Sequence, residues 1–396
     1  VAAEDFNADG WLDLYVSNDF TENDYLYLNN QDGTFREALA EMISSTSRYS
    51  MGNDAADLNG DGLPEIFTTD MLPENPEIWM KSVGEDKAEV YQIKKQFGYQ
   101  DQYVRNHLQV NQGNGRFAEV ALFAGVYASD WSWSPLIFDM DNDGLVDIHV
   151  SNGIVKRPND LDFIQYSQEA DASTPLAELR KKQIDMLPTL KISNFAWKNQ
   201  GNLRFENQAK AFGLDQESYS NGSVYSDLDN DGDLDLVLNN LDQEPFVYQN
   251  HSERLGNGFL KISLSQEGFN LQAIGAQVQV FVQNQTWSQR ISTSRGFQSG
   301  PAAELVFGLG KVQQVDSIQV SWPTGDREVF PGAAANQSLK LSKGSGKVAE
   351  SIQREIPSTF SFPEINWTHL EKDEVDELKR EYLAPKSFAR MGPAMA

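Results

Sequence analysis

Short runs in which apolar and polar residues alternate recur along the first 250 residues: Leu12-Asp-Leu-Tyr-Val16, Glu65-Ile-Phe-Thr-Thr69, Asp147-Ile-His-Val150 and Asp235-Leu-Val-Leu238. A period of two, with many β-branched and aromatic residues, predicts strands. Each run is entered through the same acidic stretch, D-x-[DN]-x-D-G-x-x-[DE], at Asp5 to Asp13, Asp57 to Glu65, Asp139 to Asp147 and Asp227 to Asp235. A second shared segment follows: Tyr25 to Phe35, His107 to Phe117 and Phe195 to Phe205 each predict a strand, an Asn/Gly hairpin turn and the start of another strand.

The spacing of these pieces has a fixed half and an elastic half. From the closing Phe to the first Asp of the next acidic stretch is 22 residues every time, whereas the last acidic residue and the aligned Asn29, Asn111 or Asn199 are 16, 46 and 52 residues apart. One four-stranded unit with insertions at a single connection explains both. Tandem antiparallel units that cannot bury both faces alone build the blades of a β-propeller, here four of them. The insertions, about residues 74–105 and 156–190, carry apolar residues at helical spacing and predict helices. They leave the face opposite the acidic loops. A Ser behind an aromatic, Tyr49-Ser50, Trp131-Ser132 and Tyr219-Ser220, precedes three of the loops by seven residues.

The acidic stretches carry the chemistry. Oxygen side chains at every second position, a glycine free to take positive φ, and a further carboxylate will wrap a hard cation, and calcium fits. The expected ligands are Asp5, Asn7, Asp9, the Trp11 carbonyl and Asp13; Asp57, Asn59, Asp61, the Leu63 carbonyl and Glu65; Asp139, Asp141, Asp143, the Leu145 carbonyl and Asp147; and Asp227, Asp229, Asp231, the Asp233 carbonyl and Asp235. About four Ca²⁺ are therefore expected. An EF-hand opens with the same spacing but needs a Glu at position twelve and flanking helices. Position twelve here is Val16, Thr68, Val150 or Leu238, inside a predicted strand. An Asp/Gly turn without metal would not need the same oxygen ligands in every copy.

Charge and composition narrow the partners. The net charge is −26, and fourteen carboxylates stand at the ligand positions. Four calcium ions would still leave roughly eighteen negative charges, a poor match for nucleic acid. The chain has no cysteine and no apolar run long enough to span a bilayer. It opens at Val1, inside an expected strand, so it reads as an excerpt of a longer secreted protein whose signal peptide and missing blades lie upstream.

The loops and their following strands resemble the FG-GAP or VCBS repeats of integrin α-subunit propellers and secreted bacterial proteins. The resemblance covers residues 1–255 and implies a propeller of seven blades, with calcium on one face and ligands taken by the other. From Gly258 to about Leu341 new alternating runs, among them Phe259 to Leu264, Ala276 to Val282 and Ser317 to Trp322, predict a compact β-sandwich or barrel. The words Ile274-Gly275-Ala276, Gly296-Phe297, Phe307-Gly308-Leu309-Gly310 and Trp322-Pro323-Thr324-Gly325 resemble the ASPIC/UnbV domain, here placed at 256–342. Tight turns account for its glycines. Residues 343–396 read as a linker, a charged helix at 369–383 and an entry to a second propeller at 387–394. The fold class expected is all-β with helical insertions: a partial β-propeller, four blades of an expected seven, plus a small β-sandwich or barrel.

The four histidines lack ligand spacing, and no nucleophile motif or phosphate-binding glycine loop is present, so an enzyme is not expected. At ten times its dissociation constant one ion adds about 1.4 kcal/mol, the scale of a structural staple. On the insertion face Asp130, Trp131, Trp133, Arg157, Asn159 and Asp160 form a candidate ligand face, if the tryptophans are exposed to stack on a sugar or a protein partner. The alternatives are that both tryptophans pack under the insertions and that Arg157, Asn159 and Asp160 cap a helix after Pro158. The expected function is a secreted or cell-surface calcium-binding module for adhesion or for protein or glycan recognition. The runner-up is a polysaccharide-binding lectin or polysaccharide-active enzyme with its site on that face.

Overall fold

The computed structural model describes residues 1–349 apart from 21, 170–175 and 284. The helix expected at 369–383 and the propeller entry expected at 387–394 lie outside the described residues. The chain is mostly β-strand with few helices. Three antiparallel sheets of four strands come first: 2–4, 13–16, 25–29 and 35–37; then 53–56, 65–68, 107–111 and 117–119; then 132–138, 147–152, 195–199 and 205–207. A three-stranded sheet follows, 220–226, 235–240 and 246–248. In every sheet an acidic loop joins the first strand to the second, and the first strands of successive sheets lie next to one another.

Alternation explains how the sheets stack. Successive side chains of a strand point to opposite faces. Ile66 enters the core shared with Phe6, Tyr15, Leu26 and Phe117, while its neighbour Phe67 enters the next core with Leu108, Ile137, Ile148 and Trp197. Likewise Ile137 points one way and Leu136 and Phe138 the other, onto Leu236 and Leu238. Each central sheet is thus apolar on both faces, which is why its second strand is buried along its length.

Both insertions are helical, as their spacing predicts. Helices at 76–79 and 88–96 occupy the first and helices at 161–169 and 176–186 the second. The two insertions hold each other through backbone bonds, Val83 N–H to the Asn159 carbonyl at 2.9 Å and Leu161 N–H to the Lys81 carbonyl at 2.7 Å. No helix among the described residues is long and apolar enough to cross a membrane.

Residues 258–348 form two sheets around one core, strands 304–310, 258–265 and 337–342 facing strands 285–290, 277–282, 317–321, 327–331 and 347–348. The run Gln277 to Val282 shows the pattern: Val278, Val280 and Val282 are buried, and Gln277, Gln279 and Phe281, which alternate with them, lie half-buried on the other face. The expected linker starts too early, because Lys347 and Val348 pair with Glu328 and Val329 as an edge strand. The turn account of the domain's glycines also fails in part. Gly308 and Gly310 sit in a strand pressed against the third acidic loop, where a Cβ on Gly308 would stand 2.0 Å from Asp139 Oδ2.

That contact belongs to an extensive docking of this domain onto the acidic-loop end of the sheets. The Trp287 indole donates to the Gly144 carbonyl at 2.7 Å, Gly310 N–H to the Asn142 carbonyl at 2.9 Å and the Asn257 amide to the Asp141 carbonyl at 2.8 Å. The segment around Arg295 reaches the first strands. Arg295 donates to Asp54 Oδ1 and to the Ala55 carbonyl, both at 2.9 Å, while Arg290 donates to Glu4 Oε2 at 2.7 Å. Phe297 lies 5.1 Å from the Trp133 ring, and its N–H donates to Ser134 Oγ at 3.1 Å. A cavity of about 360 Å³ remains between Gln277, Gln279 and the acidic loops.

Asp54 and Arg295 are both buried, so removing the guanidinium strands the Asp54 carboxylate out of water, while Glu4 keeps Arg290. Arg295→Ala should therefore cost about 3–5 kcal/mol in denaturant unfolding. A loss below about 1 kcal/mol, the scale of a surface pair, would show that the docking is not held there.

Candidate functional site

The first three acidic loops fold around their own first and last carboxylates, the fourth around its last. Asp5 accepts from the N–H groups of Asp9 and Gly10, Asp57 from those of Asp61 and Gly62, and Asp139 from those of Asp143 and Gly144, at 2.8–3.2 Å. The glycine makes this possible, with φ of 92°, 87° and 93° at Gly10, Gly62 and Gly144. The last carboxylate is buried and bridges two backbone donors. Asp13 holds Phe6 and Asn29, Asp147 holds Met140 and Asn199, and Asp235 holds Leu228 and Asn250, at 2.8–3.0 Å. Glu65 takes the N–H groups of Leu58 and Asn111 in the same way.

The recurrent asparagine was legible as a turn residue, but it does more. Its side-chain amide reaches back to the loop of the preceding sheet: Asn111 to the Phe6 carbonyl at 2.9 Å, Asn199 to Leu58 at 3.2 Å and Asn250 to Met140 at 2.8 Å. One residue thereby ties a loop, its own third strand and the neighbouring sheet. The serines behind the aromatics belong to a buried polar network at the opposite end, with Ser132 bonded to Asn152 at 2.6 Å and Ser220 to Asn240 at 2.7 Å.

The residues present fit a cation, most clearly in the third and fourth loops. Asp139, Asp141 and Asp147 bring one oxygen each within 4.8 Å of the others, and so do Asp227, Asp229 and Asp231. Buried oxygens there lack any hydrogen-bond partner, Asp141 Oδ1 in one loop and Asp227 Oδ1 in the other. In the first two loops an Asn replaces one Asp, and Asn7 and Asn59 donate to Asp9 and Asp61 at 3.1 and 3.0 Å. The Asp233 side chain turns from its loop to accept from Ser252 at 3.0 Å. Two lysines that the sequence did not single out also enter the loops. Lys198 donates to Asp141 and, at 2.7 Å, to Asp143; Lys261 donates to Asp227 at 3.1 Å.

Burial, with neighbouring carboxylates adding to it, pushes the loop acids up. Asp13 and Asp57 rise to about 6, Asp147 to about 8 and Glu65 to about 9, and Asp139 rises strongly. A bound divalent ion would hold these groups ionised instead.

The candidate ligand face is not the open surface the sequence suggested. Asp130 and Arg157 are both buried and form an internal ion pair at 2.8 Å. Trp131 and Trp133 are half-buried, and the Trp133 indole donates to the Gly153 carbonyl at 2.7 Å while its ring meets Phe297. The aromatic therefore packs against the C-terminal domain, neither exposed nor under the insertions. Asn159 joins the two insertions, and Asp160 caps the helix at 161–169 by accepting from Phe163 N–H at 3.0 Å.

A carboxyl whose pKa is higher folded than unfolded binds more protons in the folded state, so stability falls as pH rises from the unfolded value to the folded one. The EDTA-treated chain should lose melting temperature between about pH 5 and pH 8, and a divalent ion should restore more at the upper end. Thermal melts with and without the ion check this. A metal-free melting temperature that climbs across that range would contradict it.

Comparison with known proteins agrees with this layout. A model described as FG-GAP-like repeat matches residues 5–68, and one described as ASPIC and UnbV matches residues 266–348. Cartilage acidic protein 1 of Mus musculus is 25% identical over 251 residues, which cover 56% of this chain and 38% of that protein. The chain thus spans well under half the length of that relative. A crystal structure of the V. cholerae biofilm matrix protein Bap1 aligns at 13% identity over 84% of this chain and 59% of that one, with a TM-score of 0.21. The chain thus carries an FG-GAP-like repeat followed by an ASPIC and UnbV domain.

Proposed function

We propose that the chain is part of a secreted or cell-surface β-propeller module whose acidic loops hold about four structural Ca²⁺ ions, and that it serves adhesion or recognition without catalysing a reaction. The observation that carries this reading is the repeated loop: one hairpin corner, copied four times, which in its third and fourth copies brings three carboxylate oxygens together beside a buried oxygen without a partner. The sheets stack as blades do, first strand beside first strand, with the loops at one end and the insertions at the other.

The docked C-terminal domain occupies the loop end, which leaves the insertion end for a partner. There Trp79, Met80, Ile93 and Phe97 are all more than half exposed within one insertion. Large exposed apolar side chains at such density suit a protein partner better than a sugar. The lectin or polysaccharide-enzyme reading loses its anchor, because Asp130 and Arg157 satisfy each other and Trp133 is engaged by Phe297.

Calorimetric titration of the EDTA-treated chain should find about four Ca²⁺ sites, and a chelator should lower the melting temperature. A glycan array probed in calcium should stay dark. Absence of calcium binding would remove the structural-ion reading. Binding of one sugar class, abolished by Trp131→Ala, would restore the lectin.

A further inference from the structure

The four loops differ in charge at one ligand position. The third position is Asn7 and Asn59 in the first two loops but Asp141 and Asp229 in the others. The third and fourth loops therefore carry four ligand carboxylates against three. At the residue before the recurrent asparagine, the first two sheets place Leu28 and Val110, both buried, whereas the third places Lys198. Its ammonium meets Asp141 Oδ2 and, at 2.7 Å, Asp143 Oδ2. The remaining Asp141 oxygen is buried without a partner, and Asp139, Asp141 and Asp147 converge without Asp143.

We infer that Lys198 is a tethered counter-cation that matches the extra carboxylate of the third loop and sets that loop's cation affinity. With the ammonium included, the third loop has the same net charge as the first and second. The lysine neutralises Asp143 and one oxygen of Asp141, so a divalent ion meets three carboxylates' worth of charge rather than four. In the fourth loop a lysine arrives by another route: Lys261, reaching over from the C-terminal domain, sits on Asp227 and shares its charge with Glu304. A third-strand lysine without the extra Asp would repel the ion. An extra Asp without the lysine would tighten the ion but crowd the metal-free loop, because ligand charge sets calcium affinity and like charges within one turn repel.

The inference rests on the calcium reading and has its own test. Trp287 donates to the Gly144 carbonyl inside the third loop at 2.7 Å, so its fluorescence can sensitise Tb³⁺ bound there. The Tb³⁺ luminescence that Trp287→Phe removes from the full chain reports this loop, and competition with Ca²⁺ gives its affinity. Lys198→Met should tighten Ca²⁺ at this loop by about tenfold and lower the melting temperature in EDTA. The double variant Asp141→Asn with Lys198→Met, which recreates the charge of the first two loops, should return both quantities toward the wild type. Folding of Lys198→Met only in the presence of calcium would support the same assignment. Unchanged or weaker Ca²⁺ binding by a Lys198→Met chain that still melts cooperatively would overturn it, as would a double variant that behaves like the single one. A wild type with no Trp287-dependent Tb³⁺ signal would instead remove the calcium reading of this loop and the inference with it.

Discussion

Like charges held within one hairpin turn are the constraint on which this molecule is built. Left alone, three or four carboxylates in nine residues would drive a corner apart. Here each corner is closed by inward N–H groups. The carboxylate that starts the second strand, as at Asp13 or Asp147, bonds both its own loop and the third strand. Because Asn111, Asn199 and Asn250 carry the connection to the preceding loop, the state of one corner is felt by the next sheet. Local charge is in this way converted into the register between sheets.

The same corners decide what the two ends of the stack can do. The C-terminal domain reads the backbone of the loops, through Trp287, Gly310 and Asn257, and contributes Lys261 to the charge of the fourth. Arg290 and Arg295 meanwhile neutralise Glu4 and Asp54 on the first strands. The result is a loop end whose third loop is covered, and a helical end that is exposed. Under the proposed function, the ions and the docked domain brace one side of a platform, and recognition is left to the insertions.

Much of this was legible because it is local. A period of two, a glycine at the sixth loop position and a 22-residue spacing are properties of a few neighbouring residues, and they give the sheets, loops and insertions. What could not be read was every contact between distant segments. Gly308 looks like a turn residue in the sequence, yet it lies in a strand and serves to let Asp139 approach. Gln277 and Gln279 alternate as solvent-facing residues would, but they line a cavity over the loops. Whether Trp133 is exposed or packed could not be read nearby in the sequence, because Phe297, which meets it, is far along the chain. Lys198 is one residue from a recurrent motif, and its role emerges only when the third strand is laid beside the loop.

The central claim is that these corners are cation sites that fix the stack. Diffraction from crystals grown in Ca²⁺ and soaked in Tb³⁺, recorded at a wavelength where the lanthanide scatters anomalously, tests it most directly. The account predicts one anomalous peak inside each of the four loops, ringed by the carboxylate and amide oxygens of alternate residues. Loops that stay closed on their own backbone donors with no peak among the carboxylates would contradict it.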